Sequence, residues 1–330
     1  MTVLSGRFDP HIRAIDLKRD LMKIADLVDL SFADHMDAEG HDYLHHMRAT
    51  ARSALFLSYA GTCPENSAYP FHGYVWEEHG EVIGNLTLIY LRRKDRRVYF
   101  IANVAVHPDH RGKGIARQLT ERALRHVAEH QGSTVYLQVR DDNPTAMHIY
   151  QAAGFEEITR RTTWTFDGKS AHKKSTNGKA KVGKPSQEDW EQQKTWLSEL
   201  YPPSISWNLS FNMSVLEPGV HSWLKRLFTG NLVRHWAVHA DSRLHGVLSW
   251  EKGPFQTDSL WLATTPVWED EVVSALIPTA FHSIGSPKRV MMNYPAGRAI
   301  DALHEAGMRE QITLVWMKKQ LVPSPVNLYP

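Results

Sequence analysis

One stretch, VAVHPDHRGKGIARQL at positions 104–119, constrains the fold of this 330-residue chain more than any other. The alternating segment VYFIANVAV leads into it and predicts a strand that ends near His107 and Pro108. Beyond a glycine-containing loop, apolar residues recur every four positions and predict an amphipathic helix, at Ile115, Leu119, Ala123 and Val127. A strand that runs through a loop straight into a helix is typical of α/β and α+β proteins.

The loop in this stretch offers a site for an anion. Backbone N–H groups at the start of a helix have no partner within the helix, and the positive end of the helix dipole lies there. Two glycines let the backbone approach phosphate oxygens closely, and two basic side chains add positive charge. We therefore predict that a pyrophosphate binds at six loop residues, Arg111, Gly112, Lys113, Gly114, Ile115 and Ala116. A loop of this kind can also serve only as a turn.

Further elements on both sides of the loop complete a first domain. The elements predicted before it are a short strand at 11–15, helical regions at 17–32 and 32–57, and a hairpin that turns at His79-Gly80. After the loop helix, STVYLQV predicts a strand, and a short helix follows. Its ends are marked by Asn143 as N-cap, Pro144 at the first helical position and Gly154 just past the last turn.

The loop and the short helix together resemble a known family. The pattern R-x-x-G-x-A at Arg111–Ala116 is followed, at the family's spacing, by Asn143, Tyr150 and the AAGF segment that ends at Phe155. This combination is similar to the GNAT superfamily of N-acetyltransferases, and the resemblance extends over about Ile12–Trp164. It implies a mixed α/β sheet that splays apart at one point. An acyl-CoA, most commonly acetyl-CoA, would lodge between the diverging strands.

The resemblance also implies roles for individual residues. The backbone at Val104, Ala105 and Val106 matches the strand that pairs with the pantetheine arm, and Asn143 matches a position that contacts the cofactor. The N–H of Val104 would polarise the thioester carbonyl, because a preorganised backbone dipole needs no reorientation during the reaction. Tyr150 matches the acid that protonates the departing thiolate, and its alternative role is that of a core aromatic residue.

The general base is the open part of this assignment. The segment LQVRDDNPTAMHIYQAAGF resembles the branch that acetylates protein N-termini, in which a glutamate often stands twelve residues before the tyrosine. Here that position is Gln138, whose amide cannot usefully accept a proton. Either water relays the proton, the amine arrives neutral, or another residue serves. The nearby choices are Asn103, His107 and Asp141.

The helical region before the hairpin supplies candidates for the acceptor site. Four histidines cluster there, at His35, His41, His45 and His46. His41 and His45 have an i,i+4 spacing that a metal could use, but no further ligand completes a site, so we predict no metal. By its similarity to the family, this region borders the acceptor. The predicted acceptor contacts are Asp37, His41, Tyr43, Asn103 and Gln138.

The second half of the chain repeats part of the first. The segment AMHIYQAAGFEEIT at 146–159 has a counterpart in AIDALHEAGMREQIT at 299–313, and the hairpin with Gly84 parallels another with Gly246. In the repeat, TTPVWEDEVV stands in place of the basic loop, and its acidic side chains would repel a pyrophosphate. Leu303 replaces the tyrosine. We therefore predict two tandem GNAT-like domains, a competent N-terminal one and a degenerate C-terminal one.

A lysine-rich stretch separates the two halves. The predicted parts are an acetyltransferase domain at 1–166, a Lys/Gly/Ser-rich linker at 167–185, a degenerate domain at 186–322 and a tail at 323–330. Ser186 with Asp189 predicts a capping box and a helix that runs to about Leu200. Nine of the eleven tryptophans lie in the second half, where most should be core and a few could wall an acceptor cleft. A tandem arrangement with one working half is similar to that of the mycothiol synthases.

Charge and composition exclude several classes of protein. The net charge is +2, but residues 166–185 carry six lysines against Asp167, so this stretch contributes +5 and the rest −3. Lysines in one Gly/Ser-rich stretch without aromatic residues indicate a solvated linker and no nucleic-acid surface. The single cysteine, Cys63, excludes a disulfide framework and a cysteine-rich zinc site. Without a long apolar stretch or a signal pattern, the sequence predicts a cytoplasmic protein that binds no membrane.

The sequence therefore predicts an acetyl-CoA-dependent N-acetyltransferase that acts on a primary amine. A small-molecule amine is favoured, because an enclosed space between two domains suits a small acceptor, although this rests on analogy between folds. One alternative is an acetyltransferase for protein N-termini. The other is a non-catalytic acyl-CoA-binding module, which turnover with any amine would exclude. The tandem domains are compatible with a monomer.

Overall fold

The computed structural model describes most of the chain and divides it into two units. The described residues are 9–33, 36, 38–53, 57, 72–93, 96–166, 181–209, 211–219, 232–253, 257–285 and 289–321. The first unit comprises Met1–Thr159 with Val315–Pro330, and the second comprises Arg160–Leu314. Each unit has its own apolar core.

The first unit alternates strands and helices in the predicted order. Its elements are β1 (Ile12–Ala14), α1 (Leu17–Phe32), α2 (Ala38–Ala51), β2 (His72–Glu78), β3 (Glu81–Arg93), β4 (Arg96–Val106), α3 (Ile115–Glu129), β5 (Thr134–Arg140), α4 (Pro144–Ala152) and the first residues of β6 (Glu156–Phe166). Between β2 and β3, His79 and Gly80 have positive φ angles of 51° and 83°. The predicted hairpin turn is therefore confirmed.

The sheet of the first unit is mixed and covered on both faces. Its order is β1-β2-β3-β4-β5, in which only the β4–β5 pair is parallel. Adjacent residues of a strand point to opposite faces. Accordingly Trp76 packs in a core with Leu119 of α3, whereas Val75 packs in a core with Ile24 of α1. The amphipathic helix predicted after the loop thus covers one face.

The second unit repeats this order of elements. Its elements are the last residues of β6, β7 (Lys181–Gly183), α5 (Asp189–Leu200), α6 (Met213–Leu216), β8 (Val233–Ala240), β9 (Arg243–Glu251), β10 (Asp258–Thr264), α7 (Glu269–Ile284), β11 (Val290–Pro295), α8 (Ile300–Glu305) and the first residues of β12 (Arg309–Gln320). The order β7-β8-β9-β10-β11 reproduces β1 to β5, again with one parallel pair, β10–β11. The internal repeat and the two-domain α/β class are confirmed.

The same close contact between a helix and a strand occurs in both units. A Cβ atom at Gly84 of β3 would lie 2.7 Å from Cγ2 of Ile115, and one at Gly246 of β9 would lie 2.5 Å from Cγ1 of Val272. Non-bonded carbon atoms do not approach so closely, so glycine is required at both places. Each glycine brings the first turn of a helix, α3 or α7, against the sheet. The predicted parallel between the two hairpins therefore has a packing reason.

The units differ from the continuous domains predicted on either side of the linker. Residues 156–159 of β6 and 315–320 of β12 belong to the first unit, whereas 160–166 and 309–314 belong to the second. Two strands thus each serve both units. The alternation of apolar residues along a strand reveals that it is a strand but not which strands flank it.

The predicted linker at 167–185 contains a strand. β7 pairs antiparallel with β8, from Lys181 opposite His239 to Gly183 opposite Ala237. Residues 167–180, Cys63 and Trp223 lie outside the described part of the chain. The prediction that most tryptophans of the second half are core is confirmed at Trp190, Trp196, Trp236, Trp250, Trp261 and Trp316.

The helices begin where the sequence indicates. The N–H of Ser186 donates to Oδ2 of Asp189 at 2.6 Å, and the N–H of Asp189 donates to Oγ of Ser186 at 3.3 Å. These reciprocal bonds confirm the capping box, and α5 ends at Leu200. Among the described residues, every helix is too short or too polar to cross a lipid bilayer.

Candidate active site

Strands β4 and β5 separate before either of them ends. Their parallel pairing stops at Ile101 opposite Leu137. β5 continues to Arg140, and β4 continues to Val106, where its other edge is still paired with β3. The edge of residues 102–106 that faces β5 can therefore pair with a ligand. The resemblance implies a sheet that splays apart in this way. This segment contains the predicted cofactor residues Val104, Ala105 and Val106.

A β-bulge interrupts β4 in the same segment. The register against β3 shifts so that Asn103 and Val104 together lie opposite Leu86. Asn103 has a φ of 51°, a left-handed conformation that asparagine adopts more readily than most residues. Because two residues oppose one, the bulge takes part of the β4 backbone out of the β3 ladder. The backbone beside the opening is thus distorted at the predicted oxyanion donor.

The predicted phosphate loop connects β4 to α3. It passes through a short 3-10 turn, Pro108–His110, and then through Gly112 and Gly114, whose φ angles are 77° and 78°. α3 begins at Ile115 with Gly114 as its N-cap, and its first turn has neither a capping side chain nor an acidic residue. The first N–H groups of α3 and the positive end of its dipole therefore face no acidic side chain of that turn.

The two basic side chains of the loop contact two backbone carbonyl oxygens and an imidazole nitrogen. Nε of Arg111 lies 3.4 Å from the carbonyl oxygen of Val106, and its Nη2 lies 3.3 Å from that of Ser31. Nζ of Lys113 lies 3.3 Å from Nδ1 of His110. Both side chains are exposed. These contacts leave the positive charges available to an anion at the loop.

Asn143 caps the short helix α4, as predicted. Its Oδ1 accepts a hydrogen bond from the N–H of Ala146 at 3.0 Å, and Pro144 is the first helical residue. Gly154, just past the end, has a φ of 84°. Because capping uses Oδ1, the Nδ2 of Asn143 is the group that could donate to a cofactor.

Tyr150 lies in the apolar core of the first unit. It is 7% exposed, and its ring contacts that of Phe155 edge to face, with 6.0 Å between the centroids. Val104 packs against the same core cluster. Burial raises the pKa of the Tyr150 hydroxyl above its ordinary value. The ring of Tyr150 thus packs in the core, and its hydroxyl stays protonated.

On the acceptor side, the structure joins two predicted residues. Nδ2 of Asn103 donates to the hydroxyl oxygen of Tyr43 at 2.8 Å, which connects α2 to the β4 bulge. Burial raises the pKa of Tyr43, so its hydroxyl keeps a proton that it can donate to another partner. His41 is exposed on α2, and Asp37 lies outside the described residues. In the part of the chain that the structure describes, no three His, Cys, Asp or Glu side chains are grouped so as to hold a metal ion.

The predicted acceptor contact Gln138 and the two further base candidates, His107 and Asp141, have different surroundings. Gln138 is half-buried on β5, just beyond the last residue that pairs with β4. Nδ1 of His107 accepts a hydrogen bond from the N–H of Asp109 at 3.3 Å, so this ring caps the 3-10 turn. Asp141 is exposed in the turn after β5. The structure therefore gives His107 a local structural role.

The second unit has acidic residues where the first has the basic loop. α7 begins at Glu269, with Asp270 and Glu271 also in its first turn. The carboxylate of Glu269 is buried and accepts hydrogen bonds from the Tyr294 hydroxyl at 3.0 Å and from Nε of Arg298 at 2.8 Å. The first turn of α7 thus carries a buried carboxylate that is paired with Arg298, whereas the corresponding turn of the first unit follows the basic loop.

A buried arginine that sequence reasoning missed lies in the same unit. Arg161 is 2% exposed and donates to Oδ1 and the carbonyl oxygen of Asn293, at 2.8 and 2.9 Å, and to the carbonyl oxygen of Leu200 at 2.8 Å. Its guanidinium also lies over the ring of Tyr201, 5.1 Å from the centroid. Arg161 and Asn293 are 132 positions apart, so no local pattern signals their contact.

Comparison with known proteins places the first unit in a family. Residues 33–155 match the model described as the acetyltransferase (GNAT) family. Mycothiol acetyltransferase from Corynebacterium kroppenstedtii is 28% identical over 109 residues, which are 31% of this chain and 26% of that protein. N-alpha-acetyltransferase RimI from Mycobacterium tuberculosis is 31% identical over 107 residues, which are 32% of this chain and 66% of that protein. The matches thus span a quarter of the first relative and just under two thirds of the second.

A solved structure shows that the fold extends beyond the matched segment. A GCN5-related N-acetyltransferase from Sphaerobacter thermophilus superposes with a TM-score of 0.56 over 97% of this chain and 98% of that chain, at 14% identity. At this identity the likeness concerns the fold, and it includes both units. The family match coincides with the opened strand pair, the glycine loop and the capped α4. The chain therefore contains an acetyltransferase domain of the GNAT family at residues 33–155.

Proposed function

We propose that this chain is an acetyl-CoA-dependent N-acetyltransferase with one active site, in the first unit. The observation that supports it most is the conjunction of the opened β4 edge with the uncapped start of α3. A pantetheine arm carries amide groups that can pair with a strand edge, and a pyrophosphate suits the N–H groups at a helix start. Arg111–Ala116 would hold the pyrophosphate, Val104, Ala105 and Val106 would align the arm, and Asn143 would contact the cofactor.

In the proposed reaction the neutral amine attacks the thioester carbonyl. A C–N bond forms, the C–S bond breaks, the nitrogen loses one proton, and coenzyme A leaves as a thiolate. The N–H of Val104 would stabilise the negative charge that develops on the carbonyl oxygen. Because the pKa of Tyr150 is raised, whereas a free thiol titrates near about 8.5, Tyr150 would stabilise the thiolate mainly by donating a hydrogen bond.

Removal of the proton from the amine would not use a side-chain carboxylate at the family's position. Gln138 occupies that position and cannot act as a base. We propose that water carries the proton away or that the amine binds already neutral. The rate should then rise with pH as the free amine loses its proton, with no additional inflection from a carboxylate in the acid range.

The proposed acceptor is a small-molecule primary amine. Tyr43, fixed to Asn103 beside the predicted thioester position, would narrow the approach and could donate its hydroxyl proton to an oxygen of the acceptor. One relative is a mycothiol acetyltransferase, which favours a small acceptor. Another is an N-alpha-acetyltransferase, so a peptide N-terminus is the second candidate.

The first test is calorimetric titration of acetyl-CoA and of free coenzyme A into the full chain. Binding of one molecule per chain supports the proposal, and absence of binding overturns it. Two sites would show that the second unit also binds the cofactor. Mass spectrometry then follows acetyl transfer to small primary amines, an amino-sugar–cysteine conjugate and a short peptide with a free N-terminus. Binding without transfer to any of them favours an acyl-CoA-binding module.

A further inference from the structure

A polar side chain is buried beneath the β4 bulge. Asn85 of β3 is fully buried, in a strand whose residues Ile83, Leu86 and Leu88 belong to the apolar core. Burying an amide is unfavourable unless its hydrogen bonds are made, so a leucine would be the ordinary choice at such a place. A buried asparagine in this strand therefore calls for a specific partner.

The partner of Asn85 is the backbone of the bulge. Its Nδ2 donates to the carbonyl oxygen of Asn103 at 2.8 Å, and its other contact, to Oγ1 of Thr87, is 3.5 Å long. Oδ1 of Asn85 is buried without a hydrogen-bond partner among the described residues. The side chain thus makes one strong hydrogen bond while its acceptor oxygen makes none. The hydrogen bond from Nδ2 to the Asn103 carbonyl is therefore the main polar contact of the Asn85 side chain.

That hydrogen bond fixes the direction of the Val104 N–H. The carbonyl of Asn103 and the N–H of Val104 belong to one planar peptide unit, and no peptide bond of the described residues is cis. In a trans peptide the C=O and the N–H point in opposite directions. Because the carbonyl points to the Asn85 amide, the N–H of Val104 points away from that amide, and it belongs to the segment of β4 beyond the point where its pairing with β5 stops.

We infer that Asn85 is a positioning residue for acetyl transfer, which holds the β4 bulge so that the Val104 N–H polarises the thioester carbonyl. This inference rests on the proposed function. Asn103 contributes a left-handed conformation that would relax without the bond, since an asparagine at positive φ has extended alternatives of lower energy. Asn85 itself touches neither the cofactor nor the acceptor.

Hydroxylamine is the probe that isolates this step. It is a small nucleophile that is neutral near pH 7, so its reaction needs no general base and no acceptor pocket. It attacks acetyl-CoA to form a C–N bond and break the C–S bond, which gives acetohydroxamate and coenzyme A. The excess nitrogen proton passes to solvent, and the thiolate takes up one proton. The rate of coenzyme A release above the rate without enzyme reports how well the carbonyl is polarised.

Asn85→Leu removes the donor together with the unpaired oxygen and keeps the volume. We expect kcat with hydroxylamine to fall about 10- to 100-fold, in the range for a lost or misplaced oxyanion donor, with KM for acetyl-CoA within about threefold of wild type. The melting temperature should change little, because the cost of leaving the Asn103 carbonyl without its donor is offset by the removal of the unpaired buried oxygen of Asn85. Thr134→Val, an isosteric change at a buried polar residue that begins β5 and bonds Gln320 rather than Asn85, is the matched control and should leave kcat unchanged.

Asn85→Asp adds a readout that a merely structural role would not move. A buried aspartic acid has a raised pKa, and its protonated form can still donate to the Asn103 carbonyl, whereas its carboxylate repels that oxygen. The ratio of variant to wild-type kcat should therefore be near one at low pH and fall as pH rises from about 5 to about 9. Asn85→Leu should be reduced equally at every pH.

The outcomes separate this inference from the function on which it rests. An Asn85→Leu kcat within about twofold of wild type, or an Asn85→Asp ratio that is independent of pH, overturns the positioning role and leaves the proposed function intact. A wild type that binds acetyl-CoA but does not accelerate the hydroxylamine reaction overturns the role of the Val104 N–H as well. A wild type that does not bind acetyl-CoA overturns the proposed function and the inference together.

Discussion

The two units have the same order of strands and helices but opposite chemistry at the start of the central helix. In the first unit, α3 begins at Gly114 in a loop with exposed basic side chains. In the second, α7 begins with three acidic residues, and Glu269 is bonded to Tyr294 and Arg298. The packing glycines Gly84 and Gly246 are alike. The two units thus share the order of elements, whereas a basic glycine loop in one corresponds to an internal ion pair in the other.

This difference shows that the fold does not by itself supply the binding site. Both parallel pairs stop early, at Ile101 opposite Leu137 in the first unit and at Ser259 opposite Met291 in the second. A splayed sheet is therefore common to both. The charge at the helix start differs, and this is a property of a few side chains.

The largest expected effect is on acetyl-CoA binding, and it tests the difference between the first and second units. Gly114→Glu places a carboxylate where the pyrophosphate would bind, and like-charge repulsion should weaken acetyl-CoA binding at least about 100-fold. Gly297→Glu in the second unit is the matched control, because Gly297 has a similar φ of 80° and equally open surroundings. Calorimetry should show unchanged affinity for this control. Equal losses in both variants would mean that a general loss of stability, not charge at the α3 loop, abolishes binding.

The next effect concerns the buried tyrosines. Tyr150→Phe should lower kcat about 100-fold with little change in KM, because the hydrogen bond to the developing thiolate is lost. Tyr294→Phe in the second unit removes a hydrogen bond to Glu269 at a cost of about 1 kcal/mol in the free energy of unfolding and should leave kcat unchanged. Steady-state kinetics and thermal unfolding check both. Wild-type kcat in Tyr150→Phe would reduce that residue to a core aromatic.

The internal ion pair of the second unit should matter for stability alone. Glu269→Gln leaves the buried end of Arg298 without its countercharge and should lower the free energy of unfolding by about 3 kcal/mol. Asp270→Asn, on the exposed side of the same helix turn, should have almost no effect. Denaturant unfolding and acetyl-CoA titration are the measurements. A second acetyl-CoA site in the Glu269 variant would show that this carboxylate alone closes the second unit.

The smallest expected effect is on the way the stability of the first unit depends on pH. Burial acts to raise the pKa of Asp20, but hydrogen bonds from Arg13 and from the N–H of Asp16 lower it overall. A lowered folded-state pKa gives stability that is present above the unfolded value, about 3.9, and is lost as pH falls through the folded value. Asp20→Asn should lower the free energy of unfolding at pH 7 by about 1–2 kcal/mol and flatten its decrease below about pH 4.

The control for this titration is Asp26→Asn. Asp26 is paired with Arg48 but is 60% exposed. Its replacement should therefore leave the loss of stability at low pH the same as in the wild type. Thermal unfolding followed between about pH 2.5 and pH 7 makes the comparison. If Asp20→Asn loses stability at low pH as the wild type does, another carboxylate determines how the stability of this unit depends on pH.

Much of the fold was predictable because its signals are local. The strand, loop and helix around Gly114, the cap at Asn143 and the box of Ser186 with Asp189 each depend on residues a few positions apart. The predicted repeat was equally accessible, since comparing two segments needs only the sequence. The candidate cofactor site is built mainly from such local elements, and for this reason its loop and its strand were predicted in the right places.

The acceptor side was less predictable because its contacts are distant in sequence. The bond from Asn103 to Tyr43 joins residues 60 positions apart, and Asp37 lies outside the described residues. A polar residue within the apolar strand EVIGNLTLIYL was the available signal for Asn85. Its partner cannot be read from the strand, because the register between β3 and β4 and the bulge within it decide which carbonyl it meets.

By itself the sequence determined the order of most strands and helices of the first unit, the caps of several helices, the repeat and the basic loop, because hydrophobic periodicity and capping act over a few residues. Only the tertiary structure decided that β6 and β12 each contain residues of both units, that Arg161 meets Asn293, and that Asn85 donates to the carbonyl of Asn103. These depend on which strands become neighbours and in what register. That choice is made by the packing of the whole sheet, through contacts between residues far apart in the chain.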